Sequence, residues 1–300
     1  MGLKKRRGIT LLITLSIIAT MLALIGVLFG YLETARQQAI SKSAVLQTAL
    51  LRENLQPLLQ RYLKKPSTET LQQFYRLPFS LSDEKGTFTL MLRCSPLLNR
   101  IPISWLGKEN DPTFQKAYQL ARELFDDLAE RAELKDPFTL YEMIRGSLQG
   151  ETPRFGEKEW LKGNTALLGP HVFKRLLDDY RFAADDPNVY KVQWNEYFLM
   201  NTFPVKPKQL DKDFLSPALL AYLFQQDPKY IRNNYQPGRL QDFLLENGLA
   251  GEMQPYDWLF AKKAPVAMEC TAHYSFRERE YNFAFDYRNG RIEHFEHQAR

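Results

Sequence analysis

From Ile9 to Gly30 the chain reads ITLLITLSIIATMLALIGVLFG, without one charged residue. Wound as a helix, that run is about 33 Å long, enough to cross the hydrocarbon core of a bilayer. Lys4, Lys5, Arg6 and Arg7 stand directly before it, and no comparable basic cluster follows. The positive-inside bias therefore keeps the first residues in the cytoplasm and sends everything after Tyr31 to the far side. A secretory signal peptide has a shorter apolar core and ends at a small-x-small cleavage site, whereas Tyr31-Leu32-Glu33 follows here. The segment reads as a retained single-span anchor over residues 9–30, behind a basic leader over 1–8.

The remainder of the 300 residues is long enough to bury a core outside the membrane, as one domain with an insertion or as two small ones. The net charge of +5 belongs mostly to the leader, since removing its four basic charges leaves +1. No later stretch concentrates Lys and Arg, so nucleic-acid binding has no electrostatic footprint. Cys94 and Cys270 are too few for a disulfide framework. In an oxidising compartment they allow a single bridge, and two buried thiols fit equally well.

A helical stem is predicted over 31–64, with Leu51, Leu55, Leu58, Leu59 and Tyr62 forming one buried face. Pro57 inside that pattern predicts a kink or a fresh helix start near Asn54. Ser67 or Thr68 caps a short helix through Tyr75. Gly86 opens a strand from Thr87 to Cys94, with Phe88, Leu90, Leu92 and Cys94 on one face and Ser95-Pro96 ending it. Helices dominate from about Asp111 to Gly248. One starts at Asp111-Pro112, a second at Asp136-Pro137 ends near Gly146, and a third runs from His171 to Phe182. Gly150 to Gly169 reads as a loop and Asp185-Asp186-Pro187-Asn188 as a turn, while Val189 to Met200 fits strand or helix. Two leucine-rich helices follow, at Leu215 to Phe224 and Leu240 to Leu244, joined by a polar turn. Alternation at Val266 to Tyr274 and Tyr281 to Tyr287, an Asn289-Gly290 hairpin turn, and a return over Ile292 to His297 give three terminal strands. The strand ending at Cys94 has to join them. The predicted class is α+β: an N-terminal transmembrane helix continues into a stem packed on a small antiparallel sheet. An α/β body over 65–110 and 261–300 encloses a large, mostly helical insertion over 111–260.

No catalytic constellation stands out. Ser95 and Ser216 each precede a proline and lack a G-x-S-x-G frame. The stretch from Gly146 to Gly150 lacks the Lys-Ser/Thr of a phosphate-binding loop. His294 and His297 lie three apart on a predicted strand and so on opposite faces, and His171 and His273 are isolated, so surface histidines are expected rather than ligands. The acid pairs Asp126-Asp127, Asp178-Asp179 and Asp185-Asp186 read as solvated helix or turn faces.

The junction Arg6-Arg7-Gly8-Ile9-Thr10-Leu11-Leu12 resembles the site cut by prepilin peptidases in type IV pilins and type II secretion pseudopilins. The resemblance makes Gly8 the last leader residue and Ile9 the first mature one, its amine then methylated. The fifth mature position, commonly Glu in those families, is Ile13 here. That departure resembles protein K, the large minor pseudopilin of type II secretion. So do Asn99-Arg100-Ile101 after the first strand, the helices at Leu215–Phe224 and Leu240–Leu244 (without the family's Asn-Thr-Ala opening), and the terminal strands. The resemblance implies a non-enzymatic subunit in the bacterial inner membrane, N-terminus cytoplasmic and body periplasmic, that caps or initiates a short filament at its tip. Its implied partners are other minor pseudopilins, inner-membrane secretion components, prepilin peptidase and the membrane. No cofactor is expected, although the family's helical domain can bind calcium, for which Asp185 to Asn188 is the best local candidate. The competing reading is a signal-anchored periplasmic sensory or ligand-binding protein, or an envelope enzyme without a readable motif, whose Gly8-Ile9 bond stays intact.

Overall fold

The computed structural model describes residues 3–64, 66–82, 88–149, 169–200, 203–263, 265–276 and 279–298. The chain is α+β and divides into two compact units, Met1–Pro57 and Leu58–Arg300.

The first unit is helical. Helix α1 spans Leu3–Tyr62, so it begins inside the basic leader and its last turn belongs to the second unit. Pro57 lies within the helix, and the fresh start expected near Asn54 does not occur. Within the second unit, Leu59 and Leu63 are buried while Tyr62 is 58% exposed. The inward row therefore follows the i, i+4 spacing through Leu63 and leaves out Tyr62, whose ring meets Phe79 edge-on.

The second unit is built on a five-stranded antiparallel sheet in the order β1-β2-β5-β6-β7. Its strands are β1 (Phe79–Ser82), β2 (Phe88–Pro96), β5 (Ala267–Phe276), β6 (Arg279–Arg288) and β7 (Arg291–Gln298). The short β3 (Ile101–Pro102) and β4 (Phe198–Leu199) form a separate parallel pair. Strand β2 pairs with β5 from Phe88↔Phe276 to Pro96↔Met268, which joins the strand before the insertion to the three after it. The predicted start at Gly86 and Thr87 lies outside the described residues, as do residues 150–168 of the loop expected from Gly150 to Gly169. Alternation decides the faces. Leu90, Leu92, Cys94, Met268, Cys270, Ala272, Tyr281, Phe283, Phe285 and Tyr287 are buried, whereas Met91, Arg93, Thr271 and His273 are exposed. Asn289 and Gly290 both take positive φ, 52° and 78°, as a two-residue hairpin turn requires. Gln60 on the last turn of α1 donates to the Gly290 carbonyl at 2.6 Å, tying helix to hairpin. A register shift between Ala284 and Asp286 accommodates an extra residue in β7 and brings Phe295 against Phe285, ring centroids 5.5 Å apart.

The insertion carries the larger core. Helix α2 (Thr68–Arg76), capped by Ser67, lies before it in the chain, and within it α3 (Gln115–Arg131) is followed by α4 (Pro137–Leu148) and α5 (Pro170–Ala184). Helices α6 (Trp194–Tyr197), α7 (Pro217–Leu223), α8 (Pro228–Asn234) and α9 (Leu240–Glu246) complete the set. Asp111 does not start α3. Its carboxylate accepts from the Thr113 amide and hydroxyl, and the helix begins four residues later. Trp105, in a 3-10 turn over Ile103–Gly107, is fully buried and its indole N–H donates to the Val205 carbonyl at 2.8 Å. Phe125 and Trp194 of the same cluster stack on each other, 5.6 Å between centroids.

Candidate functional site

Gly8 and Ile9 lie within α1, in the first unit. The segment Thr14–Arg36 is long and apolar enough to cross a membrane, and none of it is buried inside the protein. Two of its hydroxyls bond within the helix, Thr20 donating to the Ser16 carbonyl at 2.8 Å and Thr34 to the Gly30 carbonyl at 2.9 Å. That local bonding removes the cost of placing a bare hydroxyl in hydrocarbon.

Cys94 and Cys270 face each other across β2 and β5 and are disulfide-bonded, sulfurs 1.99 Å and Cα atoms 4.1 Å apart. The register places Ser95 opposite Glu269 immediately beyond them. Here the sheet meets the insertion around a cleft of about 290 Å³, lined by Ser95, Asn99, Arg100, Glu196, Arg232 and Glu269 among others. Arg100 is the most constrained of these. Its Nε donates to Asn99 Oδ1 at 3.0 Å and its Nη1 to the Asn195 carbonyl at 2.7 Å. Its side chain is only 16% exposed, and Glu269 Oε2 stands 3.9 Å from Nη2. Burial pulls the Arg100 pKa below the usual guanidinium value, and Glu269 offsets only part of that. Arg232 pairs with Glu196 at 3.0 Å.

Ser216 is not poised as a nucleophile. Its hydroxyl donates to the Glu196 carbonyl at 2.7 Å and accepts from the Leu219 amide, capping α7. Asp126 and Asp127 form i, i+4 ion pairs with Arg122 and Arg131 on α3, and Asp178 accepts from the Tyr190 hydroxyl. His171 and His273 are exposed, and the side chains of His294 and His297 lie outside the described residues.

The turn from Asp185 to Asn188 does not fit calcium. Asp186 is fully buried, and its carboxylate accepts from the Lys135 amide at 2.8 Å, the Tyr180 hydroxyl at 2.9 Å and the Asn188 amide at 3.0 Å. Burial alone would raise its pKa, but these donors together outweigh it and hold the group below the ordinary carboxylate value. The carboxylate is thus a staple between helices with its oxygens engaged, and the Lys135 ammonium, 3.8 Å from the exposed Asp185 carboxylate, disfavours a cation. Among the described residues no group of three or more His, Cys, Asp and Glu side chains is placed to hold a metal ion.

Two charged positions escaped the sequence reading. Asp211 is 3% exposed, and burial followed by repulsion from Asp213 pushes its pKa up to about 7, against amide donors from Asp213 and Phe214. Arg100 figured only as one letter of a family-like stretch. Nothing in the local pattern marks either residue, because both are buried by segments distant in sequence.

No known protein family's sequence pattern matches the chain, and no curated protein does either. Among solved structures it is similar to a chain of the GspK-GspI-GspJ complex from the enterotoxigenic Escherichia coli type 2 secretion system. The TM-score is 0.57 at 11% identity, over 89% of this chain and 99% of that one. The shared property is a fold of the minor-pseudopilin kind.

Proposed function

We propose that this chain is a minor pseudopilin of a type II secretion-like or type IV pilus-like system, a structural subunit that caps or initiates a short periplasmic filament. One observation carries the reading: the likeness to a chain of a GspK-GspI-GspJ complex extends over nearly the whole of both chains. A likeness confined to one sheet or one helix pair would say far less.

Two features of the N-terminal unit support it. None of the 23 residues of Thr14–Arg36 is buried inside the protein, as in a span that packs laterally against other spans. The basic run Lys4 to Arg7 ahead of Gly8-Ile9 matches a leader trimmed on the cytoplasmic side. On this reading the protein sits in the bacterial inner membrane with its body in the periplasm. Prepilin peptidase cuts after Gly8, and the mature Ile9 amine is methylated. Its partners are other minor pseudopilins and inner-membrane secretion components, and it performs no chemistry of its own.

Substitution at the junction tests the proposal. Gly8→Leu is expected to block cutting and assembly while membrane insertion proceeds, because a bulky residue at the scissile position leaves the span's hydropathy intact. Unchanged assembly by Gly8→Leu contradicts it and favours a signal-anchored ligand-binding protein. Ile13→Glu is a milder probe. Restoring the carboxylate common at that position is expected to let the chain enter the filament like an ordinary subunit, read as its presence along the filament rather than at its tip.

A further inference from the structure

We infer that the cleft between the sheet and the helical insertion is a binding site for a carboxylate presented by a polypeptide, with Arg100 as the receiving group. The cation there is nearly buried and poorly compensated. Two of the three Arg100 nitrogens are fixed by Asn99 and the Asn195 carbonyl, while its acidic neighbour, Glu269, stands 3.9 Å away and is itself 52% exposed. A guanidinium removed from water without a close counter-charge is costly, and an incoming anion relieves that cost. The two fixed bonds also orient the planar fork before any ligand arrives, so little side-chain freedom is lost on binding.

The surroundings select the kind of anion. Glu196 and Glu269 both line the cleft, and their charges disfavour a dianion such as phosphate more than a singly charged carboxylate. Glu196 is already engaged by Arg232 at 3.0 Å, which leaves Glu269 as the group that a ligand displaces. Pro96, Pro217 and Ala218 supply apolar wall for the carbon atoms next to the carboxylate. A volume of about 290 Å³ suits the end of a chain or one acidic side chain with its flanking backbone, not a folded domain. Because Ser95 and Glu269 directly follow the linked cysteines in register, the bridge fixes the sheet side of the cleft. The inference stands apart from the assembly role, since either could fail alone.

The test uses the full chain in detergent micelles and fluorescence anisotropy with three tagged peptides of equal length. One has a free C-terminal carboxylate, one is amidated with an internal Asp, and one is amidated without any acid. Binding of the first or second, competed by acetate better than by inorganic phosphate, is expected, and which of the two binds identifies the source of the carboxylate. Arg100→Lys should weaken binding by about tenfold through loss of the planar donor group that Asn99 and the Asn195 carbonyl hold in place. Glu269→Gln, a change at an exposed position, should tighten it several-fold by removing the competitor. Equal binding of the acid-free peptide, no binding by any peptide, phosphate competing as well as acetate, or no tightening by Glu269→Gln would each overturn the assignment.

Discussion

Large apolar side chains meet opposite environments in the Thr14–Arg36 segment of this molecule and in the core of its second unit. In the first, Leu15 is 68% exposed and Phe29 66%, and none of Thr14–Arg36 is buried inside the protein. In the second, Trp105, Phe125 and Phe198 are fully buried, and the Trp105 indole N–H carried inward is bonded. The body buries its largest side chains within itself, while the span leaves its apolar surface to a solvent or partner outside the chain. Composition alone would not separate them. What differs is periodicity: the body's apolar residues recur at helix or strand spacing between polar ones, while the span's run unbroken.

The contrast is sharpest where a single side chain can be removed. Trp105→Ala should destabilise the body by about 3–5 kcal/mol, through a cavity and an unpaired Val205 carbonyl, without altering membrane insertion. Thermal unfolding in detergent beside membrane fractionation reads both, and a coupled loss of insertion would break the separation. Next is the bridge. It closes a loop of 176 residues that contains the insertion, so the Cys94→Ala, Cys270→Ala pair should lower body stability by about 2–5 kcal/mol. An unchanged melting temperature, or free thiols in protein recovered under non-reducing conditions, would contradict the bridge.

Leu22→Arg tests the other side. A cation at the centre of the span should cost about 2.5–3.5 kcal/mol of insertion, reducing the membrane-associated fraction while the body melts as before. The smallest effect concerns pH. Asp211 has a folded pKa of about 7, above its unfolded value, so the folded state holds the extra proton between those values and stability falls as pH rises through them. Asp211→Asn should remove that decline, gaining about 1–3 kcal/mol at pH 8. Asp186 runs the other way: its lowered pKa contributes stability that is lost only in acid, as pH falls through the folded value. A melting temperature that rises steadily from pH 5 to 8 in the parent protein would contradict the Asp211 assignment.

Much of this architecture is legible in the residues. Strict alternation places β2, β5 and β6, Asn289-Gly290 fixes the hairpin, and Asp136-Pro137 marks the start of α4. The order strand, insertion, three strands carries the joining of β2 to β5. Other elements leave weaker traces. Strand β1 has four residues after a proline and none of them fully buried, so its alternation is too short to register. Helix α8 buries only Ile231 and reads as the polar turn between its neighbours. Pro57 predicts a kink or a fresh helix start near Asn54, and the helix instead runs on without a new start, because the cost of the proline is local whereas the surrounding pattern is long. The cleft was the least legible feature. Arg100, Glu196, Arg232 and Glu269 are brought together by the return of the chain after the insertion, and no short-range pattern encodes that meeting.

The most direct measurement is the intact mass of the mature protein isolated from membranes of its own host. The account predicts a chain that has lost residues 1–8 and begins with N-methylated Ile9, anchored by its span. A chain that keeps Lys4 to Gly8 while the host's filament machinery is assembled and working would contradict it.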